Sequence, residues 1–268
     1  MSMDRRQFIK IAGISTVLGF GGTLGLSKLK DSWASEMLQS PEALNAKHWA
    51  MVIDVKKLTS EEHYDKAISA CHRAHNVPNI GNPKEEVKWL WKETYEHAFP
   101  GMEQEYMPEG IKHKPFLLLC NHCENPPCVR VCPTKATFKR ESDGIVMQDM
   151  HRCIGCRFCM AACPFGARSF NWRDPRPFIK EQDENKEFPT RTKGVVEKCT
   201  FCYERLAKGE MPACVEAVKD TKALVFGDLS DPNSEVRKIL STHYSIRRKP
   251  ELGTQPSVYY LIGGEENA

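Results

Sequence analysis

Twelve cysteines, eleven of them gathered into three tight strings, constrain this chain of 268 residues more than any other feature. The strings are Cys120, Cys123, Cys128, Cys132; then Cys153, Cys156, Cys159, Cys163; then Cys199, Cys202, Cys214. Cys71 stands apart, and a proline directly follows Cys132 and Cys163. Thiols three apart in runs of four suit a disulfide scaffold poorly. A zinc-ribbon nucleic-acid module would show separated pairs and a basic surface, and the sequence offers neither.

A thiolate every third residue, a fourth a little further on and a proline behind it is the spacing with which ferredoxins hold [4Fe-4S] cubes, the fourth cysteine ligating the other cube. Crossed ligation then assigns Cys120, Cys123, Cys128 and Cys163 to cluster A, and Cys132, Cys153, Cys156 and Cys159 to cluster B. The third string supplies three ligands and needs a fourth. Cys71 is the one cysteine left, so Cys71, Cys199, Cys202 and Cys214 make cluster C, and three [4Fe-4S] clusters use every thiol. The competing reading of Cys71 is a small buried hydrophobe. The expected fold class is α+β: two ferredoxin-like cluster-binding units with short β-hairpins and helices, long loops and insertions.

An internal repeat shows what is missing. Cys128-Val-Arg-Val-Cys132-Pro-Thr-Lys-Ala136 reads beside Cys214-Val-Glu-Ala-Val218-Lys-Asp-Thr-Lys-Ala223, so Val218 stands where a further cysteine would be. Running the first-string spacing backward from Cys71 lands on Ala67, Tyr64 and Glu61, none of them a thiol. All four ligands of a fourth cube are absent together.

Five phrases carry a resemblance: Ala70-Cys-His-Arg-Ala-His-Asn-Val-Pro78, Cys123-Glu-Asn-Pro-Pro-Cys128, Arg152-Cys-Ile-Gly-Cys-Arg-Phe-Cys159, Lys198-Cys-Thr-Phe-Cys-Tyr-Glu-Arg205 and Pro256-Ser-Val-Tyr-Tyr260. From Cys71 to about Gly263 the chain resembles the exported four-cluster ferredoxin subunits of bacterial and archaeal respiratory complexes. With one cube lost it is most similar to the DsrO-type subunits of DsrMKJOP complexes of sulfur metabolism. The resemblance implies an electron-transfer subunit without its own substrate-converting site and with no catalytic residue. Its implied partners are a DsrP-like polytopic quinone-reactive membrane subunit next to clusters A and B, a DsrJ-like multihaem cytochrome c on the far side of cluster C, and the other subunits of such a complex. The alternative is the electron-transfer subunit of an exported molybdenum oxidoreductase or hydrogenase.

The opening Asp4-Arg-Arg-Gln-Phe-Ile-Lys10 resembles a twin-arginine export signal, followed by an apolar stretch from Ile11 to Leu26 and a small-residue site near Ser32-Trp-Ala34. Its 16 residues fall short of the roughly 20 that cross a bilayer comfortably. Retention as an N-terminal anchor is the alternative to cleavage. Export of a folded protein suits clusters built in the reducing cytoplasm, and the expected location is the periplasmic or extracytoplasmic face of the membrane. Without residues 1–34, which hold five basic and two acidic side chains, 33 of each sign remain, and net charge points to no nucleic-acid partner. Arg130, Arg152, Arg157, Arg168 and Lys198 lie beside the cysteines, where they offset cluster charge or are simply solvated.

The expected organisation is a signal over 1–34, an N-terminal segment with Cys71 and a helical insertion over 35–119, a two-cluster unit over 120–170, a connection over 171–198, and a third-cluster segment with C-terminal extension over 199–268. Thr137–Arg140 and Ile145–Gln148, joined by Glu-Ser-Asp-Gly, predict a hairpin. Thr59 and Glu62 fit a capping box, and Tyr64, Ala67, Ile68 and Cys71 share the face of the helix that follows. Asn82-Pro83 predicts a second helix through Val87, Leu90, Trp91, Tyr95 and Ala98, and Asp231-Pro232 opens another with Val236, Ile239 and Leu240 on one face. Trp89, Phe99 and Tyr106 read as core. His72, His75 and His122 read as groups next to the ligands or on the surface. No Cys-x-x-Cys precedes a histidine, which rules out c-type haem attachment, and no phosphate loop or dinucleotide fingerprint is present.

Overall fold

Strand β1 (Trp49–Asp54) carries five consecutive buried residues, the pattern of a strand covered on both faces. The structure, a computed structural model, describes residues 41–102, 104–180, 182 and 184–262; the signal read in residues 1–34 lies outside them. Helix α1 (Glu61–Ala74) has Glu61 and Glu62 in its first turn and His72 and Arg73 in its last, the charge order that the helix dipole favours. Its N-cap is Ser60, with no side-chain cap bond, so the capping box expected from Thr59 is not formed. Tyr64, Ala67 and Cys71 are its buried face, and Cys71 sits in the last turn.

The insertion that follows departs from expectation. Residues 82–85 form a turn, and β2 (Leu90–Glu93) pairs antiparallel with the strand 116–119, Leu90 opposite Leu119 and Glu93 opposite Phe116. Only a single turn, α2 (Tyr95–Ala98), is helical where a helix from Asn82 through Ala98 was predicted. Trp89, Leu90 and Trp91 are all buried. Bulky aromatics of this kind favour an extended chain once a partner strand covers them. Phe99 packs edge-on against Phe116 and Tyr260 in the core, whereas Tyr106, also expected there, is 87% exposed.

After α3 (Glu109–Lys112), strand β3 (Phe116–Leu119) runs straight into Cys120. Then come α4 (Pro127–Arg130), the predicted hairpin as β4 (Thr137–Lys139) and β5 (Val146–Gln148), and α5 (Phe158–Ala162). Strands β6 (Ser169–Phe170) and β7 (Val196–Glu197) close the 171–195 excursion as an antiparallel pair. That connection is tied to the end of α1: Asn76 Nδ2 donates to the carbonyls of Asn185 (2.9 Å) and Phe188 (3.0 Å).

The chain continues through α6 (Tyr203–Leu206), α7 (Ala213–Ala217), β8 (Leu224–Asp228), α8 (Glu235–Thr242) and β9 (Val258–Leu261). In a three-stranded sheet β1 lies between β8, antiparallel to it, and β9, parallel to it. Asp231 makes a turn, its Oδ1 accepting from Asn233 N at 2.9 Å, and α8 starts later at Ser234, whose Oγ accepts from Arg237 N at 3.1 Å. The predicted start at Asp231 is thus early, although Val236 is buried against the sheet as expected. The molecule is a mixed α+β fold of small sheets and short helices, and its described residues from 43 onward form one unit.

Candidate metal centres

The cysteine loops reach their sites by backbone conformations that side chains ordinarily avoid. His122, Arg157, Phe201 and Cys202 all lie at positive φ, between 40° and 62°. Such conformations are retained where the surroundings over-determine them, commonly at functional sites. Gly155 (φ +71°) is required outright: a Cβ there would come within 2.4 Å of the Gly194 carbonyl oxygen. The Cys153–Cys156 turn is therefore pressed directly against the end of the 171–195 excursion.

The twelve thiols are free of disulfides. Cys120, Cys123, Cys128 and Cys163 line one small void, together with Pro126, Val146, Phe165 and Arg168. Cys132, Cys153, Cys156 and Cys159 line a second, with Thr137, Gln148 and Val196. Cys71, Cys199, Cys202 and Cys214 are all buried and lie within electrostatic reach of one another. These are the three quartets drawn from the spacing, here called sets A, B and C.

Set A occupies the middle. Cys128 of set A and Cys159 of set B share one small buried cluster with Val146 and Val196, and Cys199 of set C feels the charge of Cys120 of set A. The His122 and Phe201 rings stack at 3.7 Å between the first and third strings.

Electrostatics test whether the donors fit a metal cluster. Burial, joined by repulsion from Cys199, Cys214 and Cys202, pushes the Cys71 thiol far up. Burial and Cys214 do the same to Cys202, and burial lifts Cys214 to about 11 and, with Cys120, Cys123 to about 12. Four desolvated thiols cannot ionise together unless cations in their midst neutralise them. Backbone donors are already aimed at sulfur: Thr137 N at Cys132 Sγ (3.4 Å), Val196 N at Cys153 Sγ (3.5 Å) and Phe201 N at Cys199 Sγ (3.5 Å). Against burial, which raises it, the donors of Thr137 and Thr134 hold the Cys132 thiol below its ordinary value. Quartets of sulfur with N–H groups pointing at them and no second function fit [4Fe-4S] cubes.

Of the four positions where the spacing would put further thiols, Glu61 is exposed and accepts from Lys92 Nζ at 2.6 Å. Tyr64, Ala67 and Val218 are buried in the main core with Cys71, and the Tyr64 hydroxyl donates to the Pro115 carbonyl at 2.9 Å.

The sequence placed several imidazole and cationic groups next to the ligands or on the surface, and the structure separates them. His75 is buried, its Nε2 2.7 Å from Glu204 Oε1 and its ring stacked on Trp89 at 4.5 Å. His122 is buried too, its Nδ1 accepting from Val146 N at 3.1 Å, and burial with Lys198 nearby keeps it far below the usual imidazole range. Arg168 and Lys198 are buried, while Arg130, Arg152 and Arg157 are exposed. Nothing in the spacing separates these two groups of cations.

Two profiles described as "4Fe-4S dicluster domain" match the chain, over residues 112–177 and 145–217. The fold and the sulfur quartets thus define a ferredoxin-like protein with paired iron–sulfur sites. The chain is 41% identical to the Hdr-like menaquinol oxidoreductase iron-sulfur subunit 1 of Archaeoglobus fulgidus, over 98% of this chain and 100% of that one. It is 46% identical to a tetrathionate reductase subunit of Salmonella typhimurium, over 97% of this chain and 89% of the other. It is 36% identical to the iron-sulfur cluster-binding subunit of menaquinone reductase of Nitratidesulfovibrio vulgaris, over 80% and 88%. The chain belongs to the family of ferredoxin-like iron–sulfur electron-transfer subunits of membrane-associated oxidoreductase complexes.

Proposed function

We propose that the chain relays electrons through three [4Fe-4S] clusters, held by sets A, B and C, between a quinone-reactive membrane subunit and a periplasmic multihaem cytochrome c. The complex in this reading is of the DsrMKJOP type, with DsrP-like and DsrJ-like neighbours, and the chain is exported by the twin-arginine route. The observation that supports it most is the sorting of all twelve thiols into three quartets, with no thiol left over and A between B and C. The cubes supply one-electron chemistry at potentials that hydrogen bonds and exposure adjust. The residues of this chain supply the sulfur donors, the N–H groups that favour their ionised form and the apolar walls that exclude water.

The two ends differ. Cys132, Cys153 and Cys156 of set B are partly exposed, and Val131, Ile154 and Phe158, each beside a set B cysteine in sequence, expose apolar surface. Large exposed apolar groups gathered at one place mark an interaction face, and this one is assigned to the membrane subunit. Two relatives whose names carry menaquinol and menaquinone support a quinone at that end. A second reading, the electron-transfer subunit of an exported molybdenum oxidoreductase or hydrogenase, draws on the tetrathionate reductase relative for a reductase partner. Anaerobic analysis of the purified chain tests the cluster count: three cubes of four iron require about twelve iron and about twelve acid-labile sulfide. About sixteen iron, or zinc in place of iron, would overturn it.

A further inference from the structure

A buried cation needs a counter-charge, and three among the described residues, Arg168, Lys198 and Arg248, form no ion pair with a described carboxylate; Lys198 and Arg248 donate to backbone carbonyls instead. Arg191 pairs with Glu197. Arg168 is equally removed from water, yet its hydrogen-bonding partners are neutral: Nη1 donates to Thr137 Oγ1 at 3.2 Å and to Gln148 Oε1 at 2.9 Å. Its Nη2 is buried with no hydrogen-bond partner. An isolated charge in such a place costs several kcal/mol, and a guanidinium cannot shed its proton to escape.

What surrounds that guanidinium is sulfur from two quartets. Arg168 lines the void of set A and lies within electrostatic reach of the Cys128 and Cys120 thiols there and of the Cys159 thiol in set B. The hairpin residues that orient it, Thr137 and Gln148, face each other across β4 and β5, and the Thr137 hydroxyl donates to Gln148 Oε1 at 2.6 Å. The fork is thus fixed from one side by a neutral pair and open on the other toward both sets of sulfur ligands.

We propose that Arg168 is a positioning residue for electron transfer: the fixed counter-charge shared by the clusters of sets A and B, raising the reduction potentials of both. The proposal rests on the reading that A and B each hold a [4Fe-4S] cube. Each added electron increases negative charge on a cube already bound by four thiolates, so a nearby cation stabilises the reduced form more than the oxidised one. A single cation between two cubes keeps their potentials high together. Set C has its own buried cation, Lys198, which donates to the carbonyls of Val146 and Cys199.

Anaerobic redox titration of the full-length holoprotein, followed by low-temperature paramagnetic resonance, tests this. The signals are assigned beforehand with Cys163→Ser for set A and Cys71→Ser for set C. In Arg168→Gln the potentials of A and B fall while that of C stays, and Arg168→Lys, which keeps the charge, recovers most of the loss. Gln148→Glu places a carboxylate against the same guanidinium without removing it and lowers A and B likewise. Unchanged A and B potentials in Arg168→Gln overturn the proposal, as does an equal fall in all three cubes, which would report general loosening. If Arg168→Gln fails to take up iron, Gln148→Glu decides alone by the same two outcomes. Wild-type protein lacking iron and sulfide at A and B would instead overturn the cluster reading itself.

Discussion

Arg191 and Glu197 form an ion pair with both side chains at 0% exposure, Nη2 to Oε2 at 2.7 Å. Trp89 Nε1 donates to the same Oε2 at 2.6 Å, Asn171 Nδ2 donates to Oε1 at 2.5 Å, and Arg191 Nη1 donates to the His75 carbonyl. One buried network therefore joins the end of α1, which carries Cys71, to the strand that aims Val196 N at Cys153. It holds the backbones of sets B and C in one frame.

Removing one member of that pair leaves an uncompensated charge. Arg191→Met is expected to cost about 3–5 kcal/mol of stability, and the paired change Arg191→Met with Glu197→Leu to cost much less than Glu197→Leu alone. Chemical denaturation of the anaerobic holoprotein measures both. Equal losses in the single and double variants would show that the network acts through packing rather than charge.

Cys71→Ser is expected to disturb set C alone, because oxygen matches iron less well than sulfur and the other quartets take no ligand near residue 71. Cys163→Ser should disturb set A and leave C intact. Paramagnetic resonance after stepwise reduction separates the two. Three undisturbed cubes in the Cys71 variant would make Cys71 a core residue and leave C in search of a ligand.

Thiol spacing and count are local facts and were enough to propose the quartets, and α1 was legible because Tyr64, Ala67 and Cys71 repeat at helical intervals. The stretch Val87, Leu90, Trp91, Tyr95, Ala98 repeats in the same way, yet Leu90–Glu93 is a strand. Its partner, Phe116–Leu119, lies across a long insertion and leaves no trace in the local period. Arg168 and Lys198 illustrate a different limit. Cationic residues ordinarily stay in water, and their burial goes with partners that only the fold brings close, sulfur around Arg168 and backbone carbonyls around Lys198. Likewise Glu197 reads as a surface acid until Arg191, Trp89 and Asn171 enclose it.

Gly155→Ala tests the contact between the Cys153–Cys156 turn and the Gly194 carbonyl. A side chain at φ +71° costs roughly 1–2 kcal/mol. The collision of Cβ with Gly194 O adds a displacement of the turn. The expected outcome is loss of the set B signal at a lower temperature than those of A and C. Gly166→Ala, also at positive φ but with open space around it, should carry the conformational cost without that selective loss.

The export reading makes a prediction independent of the described residues. Replacing Arg5 and Arg6 by Lys is expected to strand folded, cluster-bearing protein in the cytoplasm, since the twin-arginine route accepts folded cargo and depends on that pair. Fractionation with iron analysis of each compartment checks it. Undisturbed export of the double variant would mean the signal was misread.

The apolar face at set B predicts the orientation of the relay. Ile154 and Phe158 are 67% and 59% exposed, so most of each side chain lies in water. Charging both, as Ile154→Glu with Phe158→Glu, should therefore leave iron content and melting temperature near those of the wild type. Association with the membrane subunit should weaken by at least about tenfold, because a desolvated carboxylate without a partner opposes docking by several kcal/mol. Reduction of the clusters by quinol through that subunit should slow in proportion, while direct chemical reduction in solution keeps its rate. Tyr244→Glu, at an 80% exposed residue on the chain leaving α8, is the control for added charge. Equal effects of the two substitutions, or normal docking of the Ile154/Phe158 variant, would move the membrane subunit away from set B and overturn the orientation proposed for the relay.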